Sequence, residues 1–274
     1  MRFINPKTDF AFKKLFGDEQ NKEILISFLN AILYQSNSAI EALEILNPYQ
    51  PPKIRGVKYS YLDIRAKLNN EQTVIIEMQV LNVEGFEKRI LYNAAKAYSI
   101  QLDTEVDYTL LNPVIALTIT DFEMFPNLDN VISRFVLKER DYLVDYLIYD
   151  IELVFVELPK FDKKLEELET LTDKWIYFLK NAKSLEVVPE QMGEVPAINK
   201  AFEVANRVGL TREELEDLEH QEIYIQDQRN AITKAVKQKA SEIAKGLLDV
   251  LDEATIAQTT GLSMEEIQKL KQAR

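Results

Sequence analysis

Two short segments, residues 60–68 and 73–81, constrain this chain more than anything else in it. The first places Leu62, Ile64, Ala66 and Leu68 on one face and Tyr61, Asp63, Arg65 and Lys67 on the other. The second places Val74, Ile76, Met78 and Val80 on one face and Thr73, Ile75, Glu77, Gln79 and Leu81 on the other. A period of two is that of a strand. The intervening Asn69-Asn-Glu-Gln72 has the composition of a turn, so the pair predicts an antiparallel hairpin. With the apolar faces on one side, Asp63, Glu77 and Gln79 share the opposite side. Two carboxylates converging from neighbouring strands suit a hard divalent cation. Such an ion can polarise a phosphoryl oxygen and acidify a bound water. Arg65 and Lys67, on the same face, are candidates for phosphate contact. Alternation alone favours a plainer reading, the charged solvent face of a half-exposed sheet.

Composition narrows the chemistry. The 274 residues contain no cysteine, which excludes disulfides, thiolate metal sites and cysteine nucleophiles. One histidine, His220, cannot build a multi-histidine metal centre. The seven glycines never fall at the spacing of a phosphate-cradling loop. Carboxylates, amides, hydroxyls, lysines and arginines remain, which points to an oxygen-ligated metal such as Mg²⁺ if any. The net charge of −12 is unevenly spread. Residues 1–100 carry +2, residues 101–220 carry −14 and residues 221–274 carry zero. The acidity therefore leaves room for phosphate contact by the first third of the chain. No apolar stretch of signal-peptide length opens the sequence, and no uncharged run approaches the roughly 20 residues of a bilayer span. The absence of cysteine fits a reducing compartment, so a cytoplasmic location is expected.

Further along, Thr8 or Asp9 should cap a helix through Phe16, ended by Gly17, and a second helix should run from Asp18 to about Leu33. Residues 40–46 read as a strand, and the proline-rich 47–52 as a loop. Residues 84–102 read as a helix burying Phe86, Ile90, Ala94, Ala97 and Ile100; 113–119, 130–138 and 151–158 read as strands. This order is a mixed α/β arrangement around one sheet. After Pro159 a helix is expected over 163–180, a loop over 181–196, and helices onward. Residues 226–251 form a long polar helical pattern whose thin stripe, Ile232, Val236, Ile243, Leu247 and Leu251, needs a partner. That partner is either the acidic helices of 197–222 or the same helix of a second subunit.

Several blocks carry a family resemblance. The string Asn5-Pro-Lys-Thr-Asp-Phe-Ala-Phe-Lys-Lys-Leu-Phe-Gly17 resembles the N-terminal signature of the recombination-promoting, transposase-like (Rpn-type) branch of the PD-(D/E)XK nucleases. Tyr61-Leu-Asp-Ile-Arg-Ala-Lys67 and Val74-Ile-Ile-Glu-Met-Gln79 are similar to that family's metal-site hairpin. Phe86-Glu-Lys-Arg-Ile-Leu-Tyr92 and Phe155-Val-Glu-Leu-Pro-Lys160 are similar to its later segments. The resemblance covers roughly residues 1–180. It implies a restriction-endonuclease-like α/β core, a mixed sheet flanked by helices, that cuts DNA with Mg²⁺, or Mn²⁺ in its place. It implies Asp63 and Glu77 as metal ligands, Gln79 where many members have a catalytic lysine, and Asp9 as a further carboxylate. Leu62 stands where the name-giving proline would be. An amide at position 79 cannot carry a proton away from water, which leaves the general base open, with Lys13 and Lys67 as candidates. Lys13, Arg65 and Lys67 are the candidate phosphate contacts.

The C-terminus reads as helix, turn at Gly261, helix, with Ser263 and Glu266 forming a capping box. It resembles a DNA-reading helix-turn-helix, but Glu265 and Glu266 open the second helix where base-reading residues belong, which favours a hairpin for protein contact. His220, on an acidic helix face, reads as solvated, and Trp175, Tyr177 and Phe178 as core or interface anchors. The expected organisation is a nuclease-like domain over 1–180 and a helical C-terminal region over 197–274. The leading expectation is a Mg²⁺-dependent DNA endonuclease acting as a homodimer. The alternatives are a catalytically inactive DNA-binding or regulatory protein on that scaffold, or a protein-interaction module.

Overall fold

The computed structural model describes residues 3–50, 60–102 and 107–272, which fall into two compact units, Met1–Gln221 and Glu222–Arg274. The first opens with α1 (Asp9–Phe16) and α2 (Lys22–Leu33). Thr8 caps α1 by accepting the Ala11 N–H, and Phe12 and Phe16 stack with ring centroids 4.9 Å apart. There follow β1 (Leu43–Leu46), β2 (Tyr49–Gln50), β3 (Ser60–Tyr61), β4 (Ile64–Leu68), β5 (Thr73–Gln79), α3 (Phe86–Ser99), β6 (Val114–Thr120), β7 (Ile132–Phe135) and β8 (Ile151–Glu157). The helices α4 (Leu171–Asn181), α5 (Glu190–Gly193) and α6 (Pro196–Val204) close this unit, and α7 (Arg212–Leu247) runs on into the second.

Six strands make one mixed sheet in the order β1-β4-β5-β6-β8-β7. The β4–β5 hairpin is antiparallel, with Ile64 opposite Ile76 and Lys67 opposite Thr73, whereas β5, β6 and β8 run parallel. Parallel strands need covered faces, and both are covered here. One face carries Ile64, Ala66, Val74, Ile76, Leu117 and Val156 against α1, α2, α4 and α6. The other carries Ile75, Val114 and Ala116 against Ala94 and Ala97 of α3. Trp175 lies fully buried in the first core, its indole N–H donating to Ser27 Oγ at 3.1 Å. The fold is therefore the expected α/β sheet flanked by helices.

Several expected elements need correction. The segment 60–68 is not one strand: it bends at Asp63, β3 pairs with β2 in a separate two-stranded sheet, and only β4 continues the hairpin. The bend turns Leu62 to the α3 side with Ile75, away from Ile64. Tyr49 and Gln50, expected in a loop, form β2; Pro51 and Pro52 lie outside the described residues. The helix expected from 163 begins at Leu171, because Thr170 and Asp173 form a reciprocal capping box that starts it there. The strand expected over 130–138 stops at Phe135. The long helix expected at 226 already begins at Arg212. Ile198, Ala201 and Phe202 of α6 and Leu218 of α7 belong to the first unit's core, so that unit extends well past residue 180.

In the second unit, α8 (Glu253–Thr260) and α9 (Met264–Gln272) fold back on the end of α7, burying Ala244, Ile256, Leu262 and Ile267. Gly261 turns the chain at φ 70°, a conformation that suits glycine. Ser263 and Glu266 make the expected capping box. Ile232, Val236, Ile243 and Leu251 of the expected stripe are exposed, and Leu247 packs on the hairpin. His220 is exposed. Among the described residues no helix is long and apolar enough to cross a membrane.

Candidate active site

The hairpin's charged face is not a solvent face. The 14-residue helix α3, entered through Gly85 at φ 81°, lies across it, and Glu77 keeps only 9% of its surface exposed. Burial of a carboxylate needs compensation. Glu77 receives it from α3: Asn93 Nδ2 donates to Oε1, and the Arg89 guanidinium stands 3.8 Å from Oε2. Burial nevertheless raises the Glu77 pKa, with Arg89 and Asn93 acting in the opposite direction.

Asp63 sits at the bend, where its Oδ2 accepts the Met78 N–H at 2.7 Å. This side-chain bond replaces the ladder contact that the bend interrupts. It fixes the carboxylate beside β5, one residue beyond Glu77. Burial pushes the Asp63 pKa up to about 7; the Met78 N–H opposes that shift, the charges of Asp9 and Glu77 reinforce it and that of Lys13 opposes it. Asp9 and Glu77 thus both lie close enough to Asp63 to disfavour its charge. Asp9, exposed in the first turn of α1, is ion-paired with Lys13 at 2.7 Å. Lys7 bridges both oxygens of Asp121 at 2.9 and 3.0 Å, and the Asp121 N–H donates to the Gln79 carbonyl. These bonds tie the segment before α1 to the ends of β5 and β6.

Gln79 is committed on both sides of its amide. Nε2 donates to the Leu81 carbonyl at 2.8 Å, and Oε1 accepts from Arg89 Nη2 at 2.7 Å. Lys67 is not at the site. It ion-pairs with Glu71 at the turn, four residues and ~13 Å along the strand from Asp63. Arg65, opposite Ile75, is half-buried with its Nε lacking a hydrogen bond, and burial lowers its pKa. The structure therefore brings together Asp63, Glu77 and Gln79, with Asp9 and Lys13 near Asp63.

Arg89 and Asn93 were missed in the sequence. Their signal was a one-turn spacing on the polar side of a helix expected to bury Phe86, Ile90, Ala94 and Ala97. The Arg89 guanidinium also lies over the Phe86 ring, 5.0 Å from its centroid, which holds it toward the sheet.

The donor set fits a hard cation. The buried Glu77 and the half-buried Asp63 each leave one oxygen (Glu77 Oε2 and Asp63 Oδ1) without a hydrogen bond among the described residues, and Arg89 reaches Glu77 Oε2 only at 3.8 Å. No group of three or more histidine or acidic side chains converges tightly enough to hold a metal among the described residues, so Asp9 completes no such cluster.

The chain matches the family of PD-(D/E)XK nuclease family transposases over residues 6–235. It belongs to that family. The match spans the sheet, both covering layers and most of α7, so the hairpin, α3 and the N-terminal segment all lie inside the PD-(D/E)XK region. No curated protein and no solved structure matches the chain. PD-(D/E)XK nucleases use divalent metal ions, in keeping with the oxygen-only donor set of Asp63 and Glu77.

Proposed function

We propose that this PD-(D/E)XK protein is a Mg²⁺-dependent DNA endonuclease of the recombination-promoting, transposase-like type. The observation that carries the reading is the pairing of Glu77, buried under α3, with the half-buried Asp63, held beside it by the Met78 N–H, with burial raising the pKa of both. Asp63 and Glu77 would hold Mg²⁺, with Mn²⁺ as a substitute, and the ion would polarise the scissile phosphate and acidify a water. Asn93 holds the Glu77 carboxylate in place, and the Met78 N–H holds that of Asp63. Arg89 supplies the positive charge that a strand lysine would otherwise bring, and it presents Gln79 in a fixed orientation. Asp9 and Lys13 lie on α1 near Asp63, Lys13 as a phosphate contact. Residues 1–180 carry this chemistry, and α6 packs against the same core through Ile198, Ala201 and Phe202. The working form is a cytoplasmic homodimer, since two single sites are needed to cut two strands.

A second reading has its own observation. Both ends of the Gln79 amide are already bonded within the chain, which fixes its orientation and leaves it one N–H and one lone pair at most for a water. On that reading the scaffold binds DNA without cutting. Nicking of supercoiled plasmid with Mg²⁺ and with EDTA separates the two. The endonuclease reading expects relaxed and linear product only with the metal. Retention of DNA in EDTA without nicking, weakening steeply with salt, would favour the inactive scaffold.

A further inference from the structure

Beyond β7 the chain leaves the sheet. Phe135 anchors the departure, its ring packed against Phe125 and Phe155 at centroid distances of 4.9 and 5.6 Å. The next residues form a projecting two-armed loop, joined by the bridge of Lys138 with Asp145 and by N–H bonds from Glu139 to Val144 O and from Tyr146 to Leu137 O. From Leu137 to Tyr149 every residue is exposed. The composition is not that of a solvated loop. Leu137 stands on one arm, Tyr142, Leu143 and Val144 at the turn, and Tyr146 and Leu147 on the return; Tyr142 is 84% and Leu147 92% exposed. An isolated two-stranded hairpin is marginal in water, and a contiguous apolar surface of this size is rare on a monomer.

We infer that the arm over residues 135–149 is the surface on which a second copy of this chain docks, arm against arm about a two-fold axis. Three features select that occupant. The apolar side chains offer on the order of 1,000 Å², compared with the roughly 800 Å² per partner of a stable interface. The arm springs from β7, the outermost strand of the sheet, whose free edge is continuous with it and self-complementary in an antiparallel pairing. At the tip Arg140 and Asp141 are adjacent, opposite in charge and without an ion pair among the described residues. A two-fold axis there brings Arg140 to Asp141 of the partner subunit, twice over. Nucleic acid is the poorer occupant, because residues 135–150 carry four acidic side chains against two basic ones.

This inference names the surface of the homodimer proposed above and is independent of cleavage. A monomer would leave the nuclease reading standing, and loss of nicking would leave the dimer standing. The test is light scattering on the full chain at micromolar concentration, with thermal melts as a check on folding. Wild type should have twice the mass of one chain. Leu147→Glu and Tyr142→Glu, at positions that pack on little within the chain, should weaken the dimer by at least ~30-fold without a drop in monomer stability. Arg140→Glu should weaken association, and Arg140→Glu combined with Asp141→Arg should restore it. A monomeric wild type would overturn the assignment. So would a dimer that survives both arm substitutions in folded protein, including one broken instead by Val236→Glu on α7.

Discussion

The two ends of the β4–β5 hairpin carry the same alternation of apolar and charged residues and have opposite fates. At the turn, Lys67 and Glu71 are half-exposed and neutralise each other. At the other end, Glu77 is buried and Asp63 beside it half-buried, with Arg89 at 3.8 Å as the nearest cation to Glu77. The turn-end pair costs little and gains little. The other pair is expensive, and both of its members are pushed toward their protonated forms. The difference is α3, which covers one end of the charged face. A pattern of period two reports which residues share a face; only the covering element decides whether that face is wet.

The largest expected effect follows directly. Asp63→Ala and Glu77→Ala should each lower the rate of plasmid nicking by at least ~100-fold, the scale of removing electrostatic stabilisation from a transferring phosphate, while circular dichroism stays native. Lys67→Ala, on the same face, should leave the rate within about twofold. Equal losses at both ends would dissolve the comparison.

A second effect lies in stability without metal. The Asp63 pKa rises from 3.8 to about 7 in the folded chain, so the fold binds a proton that the unfolded chain releases. That contribution is complete below pH ~4 and is lost as pH rises through ~7. Asp63→Asn should therefore be more stable than wild type at pH 8 in EDTA, by about 2 kcal/mol, and the gap should close toward pH 4. Urea melts at the two pH values would read it. A variant less stable than wild type at pH 8 would show that Asp63 is compensated by groups other than those around it here.

Asn93→Ala deprives Glu77 of its hydrogen-bond donor without touching the strand. Nicking should fall about 10-fold, and higher Mg²⁺ should recover part of the loss, as expected for a residue that orients a metal ligand. The smallest effect belongs to the turn: Lys67→Ala should change stability by no more than ~0.5 kcal/mol in a thermal melt.

Much of this was readable in the chain. The Thr8 cap, the hairpin over 64–79, the apolar strand over 114–120 and the Ser263–Glu266 box rest on local chemistry, and local chemistry is what residue spacing reports. Asp63, Glu77 and Gln79 were named from alternation and from family resemblance, and the structure sets Asp63 at the bend before β4 and the other two on β5. What escaped depends on contacts distant in sequence. The bend at Asp63 arises because its side chain takes the Met78 N–H, which a strand pattern cannot foresee. Arg89 and Asn93 looked like ordinary polar positions of an amphipathic helix until the sheet stood opposite them. The arm after Phe135 read as more strand because Val136 and Leu137 are β-formers, yet no neighbouring strand receives it.

The central claim is that Asp63 and Glu77 together hold a divalent cation. Anomalous diffraction from crystals of the full chain soaked in Mn²⁺ tests it most directly. The account predicts one strong peak bonded to both carboxylates in wild type and its loss in Asp63→Asn. Crystals that show no peak between these two side chains at saturating Mn²⁺, or a peak that persists in Asp63→Asn, would contradict it.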